Sequence, residues 1–102
     1  MVRSDLGFTA GKAASQAGHA FLDAWTNSHS FDREAYAKDG GTKVVLAAKG
    51  ELCLRALYAN VKAEGIPCSL VVEDDGSVTA VGIGPVHRGR ARPFVRRFSL
   101  MN

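Results

Sequence analysis

The most constraining feature of this chain is a stretch near its start where small apolar residues recur at helical spacing. Ala13, Ala17, Ala20, Phe21 and Ala24 fall on one face of a 3.6-residue repeat, which predicts a helix over 11–27. With alanine dominating that face, almost no side-chain volume holds the helix away from what it covers, so it must lie close against a sheet. Thr9 stands where an N-cap is needed. Beside the alanine stripe runs a polar one. Lys12, Gln16, His19 and Asp23 are spaced so that, at about 100° per residue, they project within roughly 40° of one another. Such a line is ordinarily just the solvated face of an amphipathic helix. Lys12 departs from that pattern, because the free N–H groups and macrodipole of a first helical turn favour anions and disfavour a cation. A lysine placed there, directly after Gly11, points to an anion site. The phosphate-loop consensus is absent, so a nucleoside triphosphate is not implied.

The rest of the chain supplies the sheet. Residues 1–6 read as the tail of a short strand and 31–38 as a short helical turn. A strand is expected over 42–48, where Val44-Val45 sit in an apolar run. A second helix follows from 49 or 50 to 64, with Leu54, Leu57 and Val61 on one face and Gly65 as its C′ residue. Residues 68–72 are apolar without alternation, as in a strand covered on both faces. Asp75-Gly76 then marks a hairpin into an antiparallel strand over 77–83, which Gly84-Pro85 stops. Pro93 suits the N1 position of a tail helix. This order predicts one α/β domain over 1–102, a three-layer α/β/α arrangement with a mixed sheet of about four strands, the last antiparallel. If the first and third strands are parallel, Lys12, Asp74, Asp75 and Thr79 gather at one sheet edge, the edge where open α/β sheets bind ligands.

Charge is unevenly spread. The net charge is only +3, yet Arg88, Arg90, Arg92, Arg96 and Arg97 crowd one short segment, either a solvated basic edge or a surface for nucleic-acid phosphates. Cys53 and Cys68 lack metal-site spacing and lie in apolar segments, so buried free thiols are expected. No apolar run is long enough to cross a bilayer, and the start shows no apolar leader. A reducing, cytoplasmic setting without membrane attachment is the simplest expectation.

Two motifs carry a family resemblance. Val2-Arg3-Ser4-Asp5-Leu6, followed by Gly11-Lys12-Ala13-Ala14-Ser15-Gln16 and His19-Ala20, resembles the opening of the archaeal/eukaryotic-type (type 2) peptidyl-tRNA hydrolases, R-x-D-L then G-K-x-A-A-Q-x-x-H-A. Thr79-Ala80-Val81-Gly82-Ile83-Gly84-Pro85 is similar to that family's T-V-L-G-I-G-P, and Lys43-Val44-Val45-Leu46 continues the likeness between them. The resemblance covers nearly the whole chain. It implies hydrolysis of the ester joining a peptide to tRNA, which frees tRNA from aborted translation, with no metal or organic cofactor. It also assigns the family's lysine to Lys12, its loop aspartate to Asp74 and its late threonine to Thr79, with Gln16, His19 and Asp75 as further catalytic or substrate-binding positions. The family's longer loop, D-A-G-R-T-Q-I-x-P-G-S, is replaced by Asp74-Asp75-Gly76-Ser77-Val78, and the loop threonine has no counterpart. The apolar residues that usually precede V-R-x-D-L are also missing, so either the first strand is minimal or Met1 is not the natural start.

These residues suggest ester hydrolysis with water as nucleophile. Lys12 would stabilise the oxyanion or hold a phosphate, Asp74 would orient Lys12 or the water, and Thr79 would hydrogen-bond among them. No Ser-His-Asp or Cys-His arrangement is readable, which disfavours a covalent route. The basic tail would meet tRNA phosphates, and a homodimer is plausible for so small a domain. The rival expectations are an impaired family member that binds RNA or protein without cleaving, and a hydrolase of some other small ester or amide.

Overall fold

The computed structural model describes residues 1–38, 40–41, 43–96 and 98. In chain order it comprises β1 (Val2–Arg3), α1 (Ala10–Thr26), α2 (Ser30–Lys38), β2 (Ala47–Ala48), α3 (Glu51–Ala63), β3 (Cys68–Val72), β4 (Val78–Ile83) and α4 (Arg88–Val95). The sheet order is β2-β1-β4-β3. β1 and β2 are parallel, and β4 is antiparallel to both of its neighbours, β1 and β3. The last strand is therefore inserted centrally, and the first three strands share one direction. Their carboxyl ends meet at a single edge, as the sequence predicts.

Local chemistry explains the boundaries that were legible. The Thr9 hydroxyl accepts the Lys12 N–H at 3.2 Å and starts α1. α3 ends in a Schellman arrangement: Gly65 (φ 73°) gives its N–H to Lys62 and Ile66 gives its N–H to Val61, while Ile66 and Val61 pack in one core cluster. Glu73 N–H bonds the Ser77 carbonyl at 2.9 Å, and Gly76 (φ 86°) gives its N–H to the Glu73 carbonyl. The hairpin loop is thus residues 74–76, with glycine at its left-handed position.

Two boundaries differ from expectation. The strand predicted over 42–48 is reduced to Ala47–Ala48. A strand exists only where a neighbour pairs with it, and the neighbour, β1, is two residues long; Val44 is left half exposed (Thr42 lies outside the described residues). Pro93 lies inside α4 rather than at N1, because the helix starts earlier, where His87 Nδ1 accepts the Gly89 N–H at 3.1 Å.

Each face of the sheet has its own core. Leu54, Leu57 and Val61 of α3 pack with Val78, Val81 and Ile66 on one side. Ala17 and Ala20 of α1 pack with Val2, Val71 and Ala80 on the other. The alanine stripe does what its composition requires. A Cβ on Gly82 would lie 2.0 Å from the Ala20 carbonyl oxygen, so helix backbone rests directly on strand backbone. Cys68 is buried and Cys53 half-buried, both as free thiols.

Candidate active site

At the carboxyl edge of β3, four side chains form a directed polar chain. The Thr79 hydroxyl donates to Gln16 Oε1 at 2.8 Å. Gln16 Nε2 donates to Glu73 Oε1 at 2.5 Å, and the same carboxylate oxygen lies 3.4 Å from Lys12 Nζ. The amide has one workable orientation: reversed, its oxygen would face the Glu73 carboxylate, acceptor against acceptor. Gln16 and Thr79 are buried, while Lys12 and Glu73 are partly open to solvent. The predicted polar stripe of α1 is therefore divided. Gln16 turns into the sheet; Lys12 stays at the rim; His19 and Asp23 face solvent.

Thr79 reaches this chain through an irregularity in β4. Val71 pairs with Ala80 and Val72 with Val78, which leaves Thr79 as an extra residue without an opposite on β3. Consecutive residues of a regular strand face opposite sides. Here Thr79 bonds Gln16 of α1 and the adjacent Ala80 packs in the α1-side cluster, while Val78 and Val81 face α3. The bulge turns the threonine from the α3 side to the α1 side.

The other predicted positions are placed as follows. Asp74 is exposed in the hairpin loop, and no hydrogen bond or ion pair among the described residues engages it. The carboxylate that reaches Lys12 is its neighbour Glu73. Asp75 Oδ1 accepts both the N–H and the hydroxyl of Ser77, at 2.9 and 2.7 Å, and these bonds hold its carboxyl below the ordinary carboxylate range. Arg88, Arg90 and Arg92 lie on α4, with Arg96 just after it, beyond the far end of β4 from Thr79. Arg90 is tied to the Glu64 carbonyl at 3.1 Å; Arg97 lies outside the described residues. No group of three or more His, Cys, Asp or Glu among the described residues is arranged to hold a metal ion, and no described helix is long and apolar enough to cross a membrane.

Three participants were not anticipated. Glu73 was findable, since it lies two residues beyond Val71, which faces α1, and strand parity sends it the same way. Arg3 and Glu51 were not. Arg3 grips Asp5 at 3.0 and 2.6 Å and reaches the Val78 carbonyl at 3.3 Å. Glu51 accepts the Val78 N–H at 2.8 Å and lies 3.7 Å from Arg3. The resemblance contained Arg3 and Asp5 as motif letters, with no geometry attached.

Comparison with known proteins identifies the family. Residues 1–101 match the family model described as peptidyl-tRNA hydrolase PTH2. A peptidyl-tRNA hydrolase of Methanococcus maripaludis (strain C6) is 39% identical over 94 residues, covering 83% of this chain and 81% of that protein. One from Methanococcus vannielii is 32% identical over 110 residues, covering 99% of this chain and 95% of that protein. A probable peptidyl-tRNA hydrolase 2 of Schizosaccharomyces pombe is 35% identical over 95 residues, covering 83% of this chain and 46% of the yeast protein. With both end motifs, a four-stranded mixed sheet and a match running from the first residue nearly to the last, this chain belongs to the PTH2 family of peptidyl-tRNA hydrolases.

Proposed function

We propose that this chain hydrolyses the ester between peptide and tRNA in peptidyl-tRNA, returning tRNA from aborted translation, with Lys12 at the centre of the reaction. The observation that carries this reading is the chain Thr79–Gln16–Glu73–Lys12, which fixes an ammonium at the first turn of α1 on the sheet edge suited to ligands. Water attacks the ester carbonyl carbon, the carbonyl becomes an oxyanion, and the bond to the ribose oxygen breaks as that oxygen takes a proton. Lys12 donates to the oxyanion or holds a neighbouring phosphate, and Thr79 supports it through Gln16 and Glu73. Glu73 is already committed to Lys12 and Gln16. Asp74, exposed beside it, is the carboxylate left to orient the water and take its proton. His19 is an exposed substrate contact at most, and Asp75 shapes the hairpin.

The arginines of α4 and its exit supply a second contact region for tRNA phosphates, away from Lys12, with steep weakening of binding by salt. The compartment is the cytoplasm, in keeping with the free thiols. Exposed Leu22, Phe31 and Val44 support a homodimer, which sedimentation would reveal. The decisive measurement is turnover of peptidyl-tRNA by the wild type and by Lys12→Ala. A loss of about a hundredfold in kcat is expected. Equal turnover would remove Lys12 from the mechanism, and tight tRNA binding without cleavage by the wild type would reduce the chain to a binding module.

A further inference from the structure

The bulge that aims Thr79 needs an explanation of its own, because the ladder around it is incomplete. β1 pairs with β4 at Val2 and Ala80, with Met1 and Val81 exchanging backbone bonds beyond them, and stops short of Val78. On the other side, Thr79 has no opposite on β3. A bulge at the end of so short a pairing has little to hold its shape. Side chains take over the role of the missing strand. Glu51 Oε1 accepts the Val78 N–H at 2.8 Å, and Arg3 Nη1 donates to the Val78 carbonyl at 3.3 Å. The two are 3.7 Å apart, and each is steadied from behind: Arg3 by Asp5, and Glu51 by Arg55 Nε at 3.1 Å from its other oxygen.

We propose that Glu51 is a positioning residue for hydrolysis: by binding the Val78 N–H it fixes the bulge that turns Thr79 onto Gln16. Its hydrogen bonds and ion pairs go to Val78, Arg3 and Arg55 rather than to Lys12, Gln16, Glu73 or Thr79, and it acts through one peptide group of β4. The Val78 N–H, ahead of both arginines, holds the Glu51 carboxyl below its ordinary range, so the acceptor stays charged at neutral pH. The proposal rests on the reading of Thr79 as part of the site.

The test uses the whole chain on peptidyl-tRNA. Glu51→Ala removes the acceptor; Glu51→Gln keeps an oxygen there. The expected result is a fall in kcat of about tenfold or more for Glu51→Ala with KM nearly unchanged, and turnover within about threefold of wild type for Glu51→Gln. The Val78 amide should exchange faster with solvent in Glu51→Ala alone. In a Thr79→Ala background, adding Glu51→Ala should lower kcat by less than about twofold further, since its effect passes through Thr79. Multiplying losses, equal losses in the alanine and glutamine variants, or unchanged kcat in Glu51→Ala would each overturn the proposal. If Thr79→Ala is as fast as wild type, the reading of the site fails and the positioning role falls with it. If Thr79→Ala is slow and Glu51→Ala fast, only the positioning role fails. Should Glu51→Ala not fold, Glu51→Asp, one methylene too short to reach Val78, carries the same readouts.

Discussion

β4 meets α1 in two different ways at its two ends. Near Gly82 the contact is backbone on backbone, with the Ala20 carbonyl where a strand side chain would otherwise stand. Near Thr79 the contact is a chain of hydrogen bonds through the Gln16 amide. One end is set by the absence of volume and the other by the direction of polar groups. The difference shows why this helix can bring a lysine and a buried amide to the sheet at all. Steric contact at the Gly82 end fixes the height and angle of α1, so the polar residues one to two turns from its N-terminus need not hold the helix in place. They are free to be chosen for chemistry.

The sharpest way to break that comparison is to put one methyl group into the steric end. In Gly82→Ala the added Cβ would stand 2.0 Å from the Ala20 oxygen and 2.6 Å from its carbonyl carbon, both backbone atoms. No rotamer relieves such a clash; α1 must lift. A loss of about 3 kcal/mol is expected, with a fall in melting temperature of more than about 10 °C, read by thermal denaturation. Because α1 carries Lys12 and Gln16, the folded fraction should also turn over substrate slowly. A melt within 2–3 °C of wild type, on the roughly 4–8 °C per kcal/mol expected of a domain this size, would mean that α1 does not rest on Gly82.

The steric end also tolerates charge poorly. In a chain that starts with a free amine at Met1, that amine donates to the Val81 carbonyl at 2.8 Å, and burial lowers its pKa from 8.0 to about 6. Between those values the unfolded chain binds a proton that the folded one does not. Stability therefore rises as pH increases from about 6 to 8, and the penalty is complete below 6. The expected span is about 2–3 kcal/mol by urea unfolding. N-terminal acetylation keeps the N–H donor and removes the charge, so it should flatten this rise. An unchanged slope after acetylation would assign the titration to another group.

How much of this was legible in the sequence divides along the same line. Thr9, Gly65 and the Asp75-Gly76 hairpin were readable because capping and turn chemistry are settled within a few residues. The alanine stripe predicted close packing because volume is a property of composition. β2 was overestimated because a strand's length belongs to its neighbour, and Pro93 was misplaced because a histidine upstream captured the helix start. At the site, Lys12 and Thr79 came from motif position, and Glu73 was available from strand parity. The same parity would have sent Thr79 to the wrong face. Only the pairing of Val71 with Ala80 and Val72 with Val78 reveals the bulge, and that information lies in two strands at once.

The smallest expected effect, at Asp75, stands next to a large one at Asp74 in the polar end. Asp75 is engaged in the turn: one carboxylate oxygen accepts the Ser77 N–H and hydroxyl, and those bonds keep it ionised below the ordinary carboxylate range. Its contribution to the hairpin is thus fully present above the ordinary carboxylate pKa, declines as pH falls below that value, and is gone once pH has passed the lowered folded value. Asparagine offers a carbonyl oxygen in the same place, so Asp75→Asn should leave kcat within about twofold of wild type. Asp74, one residue earlier, has no such employment among the described residues. If its role is to take a proton from water, Asp74→Asn should lower kcat by about a hundredfold or more while leaving the melt unchanged, since an amide cannot act as that base. Comparable turnover in the two variants would transfer the base to Glu73, and Glu73→Gln would then show a loss beyond that of Gln16→Ala, because it would remove the proton acceptor as well as the partner of Lys12.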